Sequence, residues 1–310
     1  MKTENTSRPF YSEFAWASDL LIDRPVQKEC HTIAAWLVER AVVPGASVLD
    51  AGCGTGRYAI ELGRRGYVVR GIDLSTHLIE EAKRSLGTES PQASFAVGDI
   101  LTLPASRYDA ILCRGVLNDL VSDDARSLAF ESFGRTLRKS GVLVLDVREW
   151  NATAARKSRE PLFRKRVDTE RGKLTFTSVT ELDVPTRRLM VKEQHTLEVD
   201  GQEHSSNYEF VMRCWTPAEL QSLLHLNGFS SVRCFGAYDP AVGPGETDRL
   251  VAVAQKLGRA HDIDVERIAT TIGQHERAAV RPLSNAPSAR TTLSATTLRR
   301  ASQRREAVSV

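Results

Sequence analysis

Val48-Leu49-Asp50-Ala51-Gly52-Cys53-Gly54-Thr55-Gly56-Arg57-Tyr58 decides how the rest of the chain is read. An apolar run ending in an acid, then three glycines at alternate positions, predicts a buried strand, a tight turn and a helix opening near Tyr58. Without Cβ atoms such a turn bends sharply and lets a ligand approach the main chain. The helix start offers unpaired N–H groups and the positive end of its dipole to the occupant of the turn. Spacing excludes two common occupants. The dinucleotide fingerprint G-x-G-x-x-G, laid on Gly52 and Gly54, asks for glycine where the chain has Arg57. The phosphate loop G-x-x-x-x-G-K-[ST] fails because no Lys-Ser or Lys-Thr pair follows.

Outward from this turn, strand and helix alternate regularly. Residues 57–65 read as a helix, and Val68-Val69-Arg70-Gly71-Ile72-Asp73 as a second strand ending in an acid. One helix and one strand bring Asp73 back to the turn, where a carboxylate can accept both hydroxyls of a ribose. Ser75 caps a helix carrying Leu78, Ile79 and Ala82. Phe95-Ala96-Val97-Gly98-Asp99-Ile100 is a third strand end. Tyr108 to Cys113 is a fourth strand, leading into Arg114-Gly115-Val116-Leu117-Asn118-Asp119-Leu120. Ser122-Asp123-Asp124 caps a helix through Arg138 with Leu128 and Phe133 facing inward. Val142 to Val147 has the unbroken apolar character of a strand covered on both faces, with Asp146 and Arg148 expected to pair at its end.

Asp50, Gly52, Gly54 and Gly56, followed by Asp73 and Asp99 in sheet order, resemble the motifs of the class I S-adenosylmethionine (SAM)-dependent methyltransferases. The resemblance runs from about Phe10 to Gln255. It implies an α/β fold with a doubly wound, mostly parallel seven-stranded sheet, Rossmann-like, with strands in the order 3-2-1-4-5-7-6. It implies that Asp73 and Leu74 hold the ribose, and that Asp99 with the N–H of Ile100 takes the adenine. Arg114 is expected beside the methionine moiety, with Asn118 and Asp119 facing the methyl acceptor. In sugar N-methyltransferases a His stands roughly where this chain has Asp119. A Tyr near the N-terminus often closes over the methyl donor in the small-molecule enzymes, which makes Tyr11 and Asp119 the candidate catalytic residues. His195 is a further candidate base. The activity implied is in-line transfer of a methyl group to N or O of a small-molecule acceptor, releasing S-adenosylhomocysteine. Positioning contributes much of such a reaction, and a hydroxyl acceptor adds the need for a general base.

Five segments follow. Residues 1–26 form an N-terminal lid segment, polar and mobile over 1–9, whose cluster Phe10-Tyr11-Ser12-Glu13-Phe14-Ala15-Trp16 either staples onto the core or covers the cofactor. Residues 27–150 form the SAM-binding core, opening with a helix over 27–41 that buries Ile33, Trp36, Leu37 and Val38. Residues 151–213 break the alternation. A basic opening part (Arg156, Lys157, Arg159, Arg164, Lys165, Arg166) precedes strand-like stretches at 173–179, 188–191 and 208–212. This is expected to be an antiparallel insertion serving as acceptor roof or homodimer surface. Residues 214–257 complete the core with a capping box at Thr216-Pro217-Ala218-Glu219 and two last strands at 229–235 and 249–255. Residues 258–310 hold no aromatic side chain and are expected to be a largely disordered tail.

Composition narrows the partners. The tail carries nine Arg against five Asp or Glu, a net of +4, so with +3 for the whole chain the other 257 residues sum to −1. A near-neutral body does not indicate a nucleic-acid face. No apolar run of ~18 residues suggests a membrane span. The five scattered cysteines and the charged N-terminus point to the cytoplasm. No His/Cys/Asp/Glu set has metal-site spacing, and no G-x-S-x-G elbow or (D/N)-P-P-(Y/W) signature occurs. Two rival functions stay open at this stage. One is an RNA or protein methyltransferase docking through the basic tail, and the other a non-catalytic SAM-binding interaction protein.

Overall fold

The computed structural model describes residues 7–87, 92–105 and 108–257. The expected disordered tail lies outside the described residues. Seven strands form the main sheet: β1 (Ser47–Ala51), β2 (Val68–Asp73), β3 (Ala93–Val97), β4 (Tyr108–Arg114), β5 (Leu137–Arg148), β10 (Phe229–Phe235) and β11 (Arg249–Lys256). Their spatial order is β10-β11-β5-β4-β1-β2-β3, the expected 3-2-1-4-5-7-6 once the insertion is set aside. β11 runs antiparallel to both neighbours, and all other pairs of this sheet are parallel.

Alternate residues of each strand serve opposite faces, as the pleat requires. Val48, Val69, Leu112, Val144 and Val253 pack on α2 (Val26–Val38), α3 (Arg57–Arg64) and α4 (Thr76–Leu86). Leu49, Ile111, Cys113, Leu145 and Ala252 pack on α5 (Asp123–Thr136) and α7 (Pro217–Leu226). Trp36 stacks on Phe235 within the first of these cores. Three expectations need correction here. Val38, expected to be buried with Ile33, Trp36 and Leu37, is 50% exposed at the last position of α2. Leu128 is 48% exposed, because α5 buries the face of Ala129, Phe130, Phe133 and Thr136 instead. Asp146 does not pair with Arg148: the Tyr238 hydroxyl donates to it at 2.8 Å, while Arg148 reaches Asp248 at 2.9 Å.

Residues 149–213 contain more than the sequence suggested. The Glu149 carboxylate caps a helix, α6 (Trp150–Lys157), by accepting from the Ala152 N–H at 2.6 Å. A four-stranded antiparallel sheet follows: β6 (Leu162–Thr169), β7 (Gly172–Asp183), β8 (Arg188–Val199) and β9 (Gln202–Arg213), in that order. β6 takes up the second half of the basic opening part, whose Arg156 and Lys157 lie in α6. It is an edge strand, and its Arg164, Lys165 and Arg166 are the charges that keep such edges from pairing with other chains. The excursion leaves and returns at one place. Trp215 N–H donates to Arg148 C=O and Trp150 N–H to Trp215 C=O, both at 2.9 Å.

The N-terminal segment packs on this second sheet. Phe10, Phe14, Ala17 and Leu21 cluster with Leu174 and Phe176 of β7. Arg8 and Pro9, expected to be mobile, are buried.

Candidate functional site

The carboxyl ends of β1, β2, β3 and β4 converge beside the glycine turn. Cys53 N–H and Gly52 N–H both donate to Ile72 C=O, at 2.9 and 2.8 Å, tying the turn to β2. Gly56 opens α3 with φ +78°, and a Cβ there would lie 2.5 Å from the Phe95 ring. Gly54 also has a left-handed backbone, φ +56°, but a Cβ there would meet nothing within 4 Å. The space above Gly54 is therefore open to a ligand. Its N–H donates to Asp73 Oδ2 at 3.0 Å, and Ser75 N–H donates to Asp73 Oδ1 at 2.9 Å. Burial pushes the Asp73 carboxyl above the usual carboxylate range, although those N–H groups oppose the shift. Leu74 follows at the bend into α4. On the neighbouring strand, Gly98 N–H donates to Asp73 C=O. Asp99 caps a short 3₁₀ turn, Ile100–Thr102, through Leu101 N–H at 2.9 Å, and Ile100 is buried.

Asp50 is fully buried, and neither of its oxygens has a hydrogen-bond partner. Arg114 Nη2 lies 3.7 Å away, too far for a good hydrogen bond. Burial raises the Asp50 pKa, with Asp73 adding to the rise and Arg114 opposing it. The Arg114 guanidinium stacks on the Tyr58 ring, 3.3 Å from its centroid. Burial alone would lower the Arg114 pKa, but the field of Asp50, Tyr58, Tyr238 and Asp146 outweighs it, so this arginine stays charged. Arg24, just before α2, approaches Asp146 at 3.7 Å and keeps an unpartnered Nη1. A buried carboxylate without a hydrogen-bond partner, a largely covered Arg114 and a half-buried Arg24 are the complement of an amino-acid zwitterion.

The N-terminal segment crosses this site. Asp19, on the short helix α1 (Ser18–Leu21), accepts from the Thr55 hydroxyl at 2.8 Å and from Arg57 Nε at 2.8 Å, on the glycine turn itself. Ser75 Oγ donates to Tyr11 C=O. The Tyr11 hydroxyl donates to Asp119 Oδ2 at 3.4 Å and accepts from Arg8 Nη1 at 2.9 Å. Arg8 in turn makes a two-pronged pair with Glu193 of β8 at 2.8 and 2.5 Å. Burial lifts the Asp119 carboxyl to about 6, with Glu193 and Asp73 adding to the rise and Arg8 and Tyr11 opposing it.

Tyr11, Asp50, Asp73, Arg114 and Asp119 thus share one electrostatic neighbourhood. Asn118, expected to face the acceptor, is committed in part to the backbone. It is buried, and its Oδ1 accepts from Arg148 N–H at 2.9 Å, a backbone-bracing role. His195 is enclosed without exposed surface, stacked on Phe14 with centroids 4.7 Å apart. Burial lowers its pKa to about 4, so it is neutral at pH 7. Arg8, Asp19, Arg24 and Glu193 escaped the sequence reading. Each acts across a long separation, and no local spacing marks any of them.

Among the described residues no cluster of three or more His, Cys, Asp or Glu side chains is placed to hold a metal. A surface cleft of about 560 Å³, lined by Val42, Pro44, Asp109 and Arg138, lies at the amino ends of the strands, the opposite edge from this site. No helix among the described residues is long and apolar enough to cross a membrane.

Residues 48–141 match the family model described as a methyltransferase domain. The magnesium-protoporphyrin O-methyltransferase of Synechocystis sp. is 31% identical over 105 residues, 33% of this chain and 45% of that protein. The chain thus spans about half the length of the curated relatives it matches. Among solved structures, an S-adenosylmethionine-dependent methyltransferase from Clostridium acetobutylicum superposes with TM-score 0.67 at 18% identity, covering 79% of this chain and 98% of that one. The SAM-bound amino pentose methyltransferase from Micromonospora echinaspora, of calicheamicin biosynthesis, gives TM-score 0.59 at 19% identity, covering 79% and 95%. The matched segment contains the glycine turn, and the strand order agrees with the fold of these solved structures.

Proposed function

We propose that the protein transfers a methyl group from SAM to N or O of a small-molecule acceptor. The observation that carries this reading is the meeting of Asp73 and the open Gly54 cradle with Asp119 and Tyr11 in one enclosure. The residues fit the cofactor. Asp73 would accept the ribose hydroxyls, and Asp99 with the Ile100 N–H would face the adenine. The unpartnered Asp50 carboxylate suits an ammonium group, and Arg114 and Arg24 suit a carboxylate. SAM supplies a methyl group activated by its positive sulfur. The chain supplies orientation, exclusion of water and a place for one proton.

That place is Asp119. With its pKa near 6, the carboxyl is ionised at pH 7.5 yet basic enough to take a proton from a hydroxyl acceptor as the methyl arrives, or from an ammonium acceptor beforehand so that its lone pair is bare. The segment through Tyr11 and Asp19 serves as a lid, and the β6–β9 sheet as the roof of the acceptor chamber, its Glu193 reaching down to Arg8. Calorimetric titration with SAM and with S-adenosylhomocysteine tests the cofactor site. A screen of small amines and alcohols for S-adenosylhomocysteine release tests turnover. Failure to bind either compound would overturn the reading.

A further inference from the structure

Arginine has donors only, so the contact between Arg8 Nη1 and Tyr11 Oη fixes the direction of everything beyond it. The tyrosine oxygen accepts from Arg8, which leaves its single proton to be given to Asp119 Oδ2. Arg8 itself has little freedom. Its Nε and Nη2 are both held by the Glu193 carboxylate, and the guanidinium lies over the Phe210 ring at 4.0 Å. Arg8 is 7% exposed and Glu193 6% exposed, so the pair is shielded from water and from salt. A chain of contacts therefore runs from β8 of the second sheet, through the N-terminal segment, to the acid after β4.

We propose that Arg8 and Glu193 are positioning residues for the reaction at Asp119, holding the Tyr11 proton on that carboxylate and cancelling each other's charge beside it. This inference rests on the functional reading above, in which Asp119 receives the acceptor's proton. The charged and titratable groups facing Asp119 are Arg8 and Tyr11 from the N-terminal segment, Glu193 from β8 and Asp73 from β2. Tyr208 of β9 stands opposite Glu193, and His195 lies within the field of Arg8. Among these, Arg8 favours the ionised carboxylate, whereas Glu193 and Asp73 disfavour it. The two halves of one ion pair consequently act on Asp119 with opposite sign.

That opposition supplies a test which a merely structural salt bridge would fail. The carboxyl titration of Asp119 is followed by carbon-detected NMR on full-length protein with labelled aspartate, assigned with Asp119→Asn, and needs no acceptor. Glu193→Gln leaves Arg8 uncancelled and should lower the Asp119 midpoint by about one pH unit. Arg8→Met should raise it by a similar amount. Removing one partner of a buried pair can unfold a protein, whereas replacing both by apolar residues is often tolerated. The double variant Arg8→Met/Glu193→Leu should therefore fold and return the midpoint to within a few tenths of a unit of the wild type. Arg8→Lys keeps the charge without the fork, so its midpoint should stay near the wild type. Midpoints that move the same way in both single variants would overturn the proposal. A double variant that folds with its midpoint displaced by a full unit would do the same. SAM titration of the wild type is run alongside. Lost cofactor binding sinks the function, whereas intact binding with unmoved midpoints sinks only the role of the pair.

Discussion

Asp73 and Asp119 are both carboxylates whose pKa is raised by burial, yet they answer to different partners. Asp73 accepts two backbone N–H groups that also shape the glycine turn, so its oxygens stand ready for a polyol. Asp73→Ala should weaken SAM binding by about 1–3 kcal/mol, the worth of hydrogen bonds to a charged group. Calorimetry would check it, and an unchanged affinity would remove the ribose assignment. Asp119 has a folded-state pKa of about 6 against about 3.9 for a free aspartate. A raised carboxyl pKa contributes stability that is present below the unfolded value and lost as pH rises through the folded one. Asp119→Asn should accordingly stabilise the fold by about 1–3 kcal/mol at pH 7.5 and by almost nothing at pH 4. Methyl transfer should fall in the same variant. Melting curves at the two pH values, beside a rate measurement, give the comparison. Wild-type activity should decline as pH drops through about 6, when the base becomes protonated.

The elements were legible where one-dimensional pattern and three-dimensional role coincide. β1, its turn and α3 are written in consecutive residues, and so is the capping box of α7, where Thr216 and Glu219 cap each other. Thr216→Ala should destabilise by about 1 kcal/mol, a drop of roughly 2–4 °C in melting temperature for a domain of this size. An unaltered transition would mean that the cap is replaced by solvent. The second sheet was legible only in part. β7 and β8 alternate clearly because one face packs on Phe10 and Phe14. β6 hides its strand character under three consecutive basic residues, since an edge needs charge more than it needs apolar surface. α6 was missed because its cap, Glu149, is not one of the residue types that mark a helix start. For the site, the acids at strand ends declared themselves by position. The Arg8–Glu193 pair spans 185 residues, and no local pattern in a single sequence joins such partners.

At the scale of the whole molecule, the N-terminal segment fastens the glycine turn, the β2–α4 bend and the second sheet to one another. Asp19 is the fastening nearest the turn. Asp19→Ala should speed SAM release about tenfold, since a hydrogen bond to a charged group is worth 1.5 kcal/mol or more. The off-rate is readable by stopped-flow displacement with S-adenosylhomocysteine. An unchanged off-rate would mean that the segment does not gate the cofactor. Saturation at about 100 times Kd should add about 2.7 kcal/mol to unfolding stability.

The doorway at Trp215 has a consequence for how such proteins diversify. Because departing and returning backbones touch each other between Arg148 and Trp215, the main sheet does not register how much polypeptide is spent in between. Closing an excursion of twice the length across fixed posts costs only about 0.6 kcal/mol more in chain entropy. Whole modules can be exchanged at that threshold while the glycine turn and the strand ends beside it are left alone.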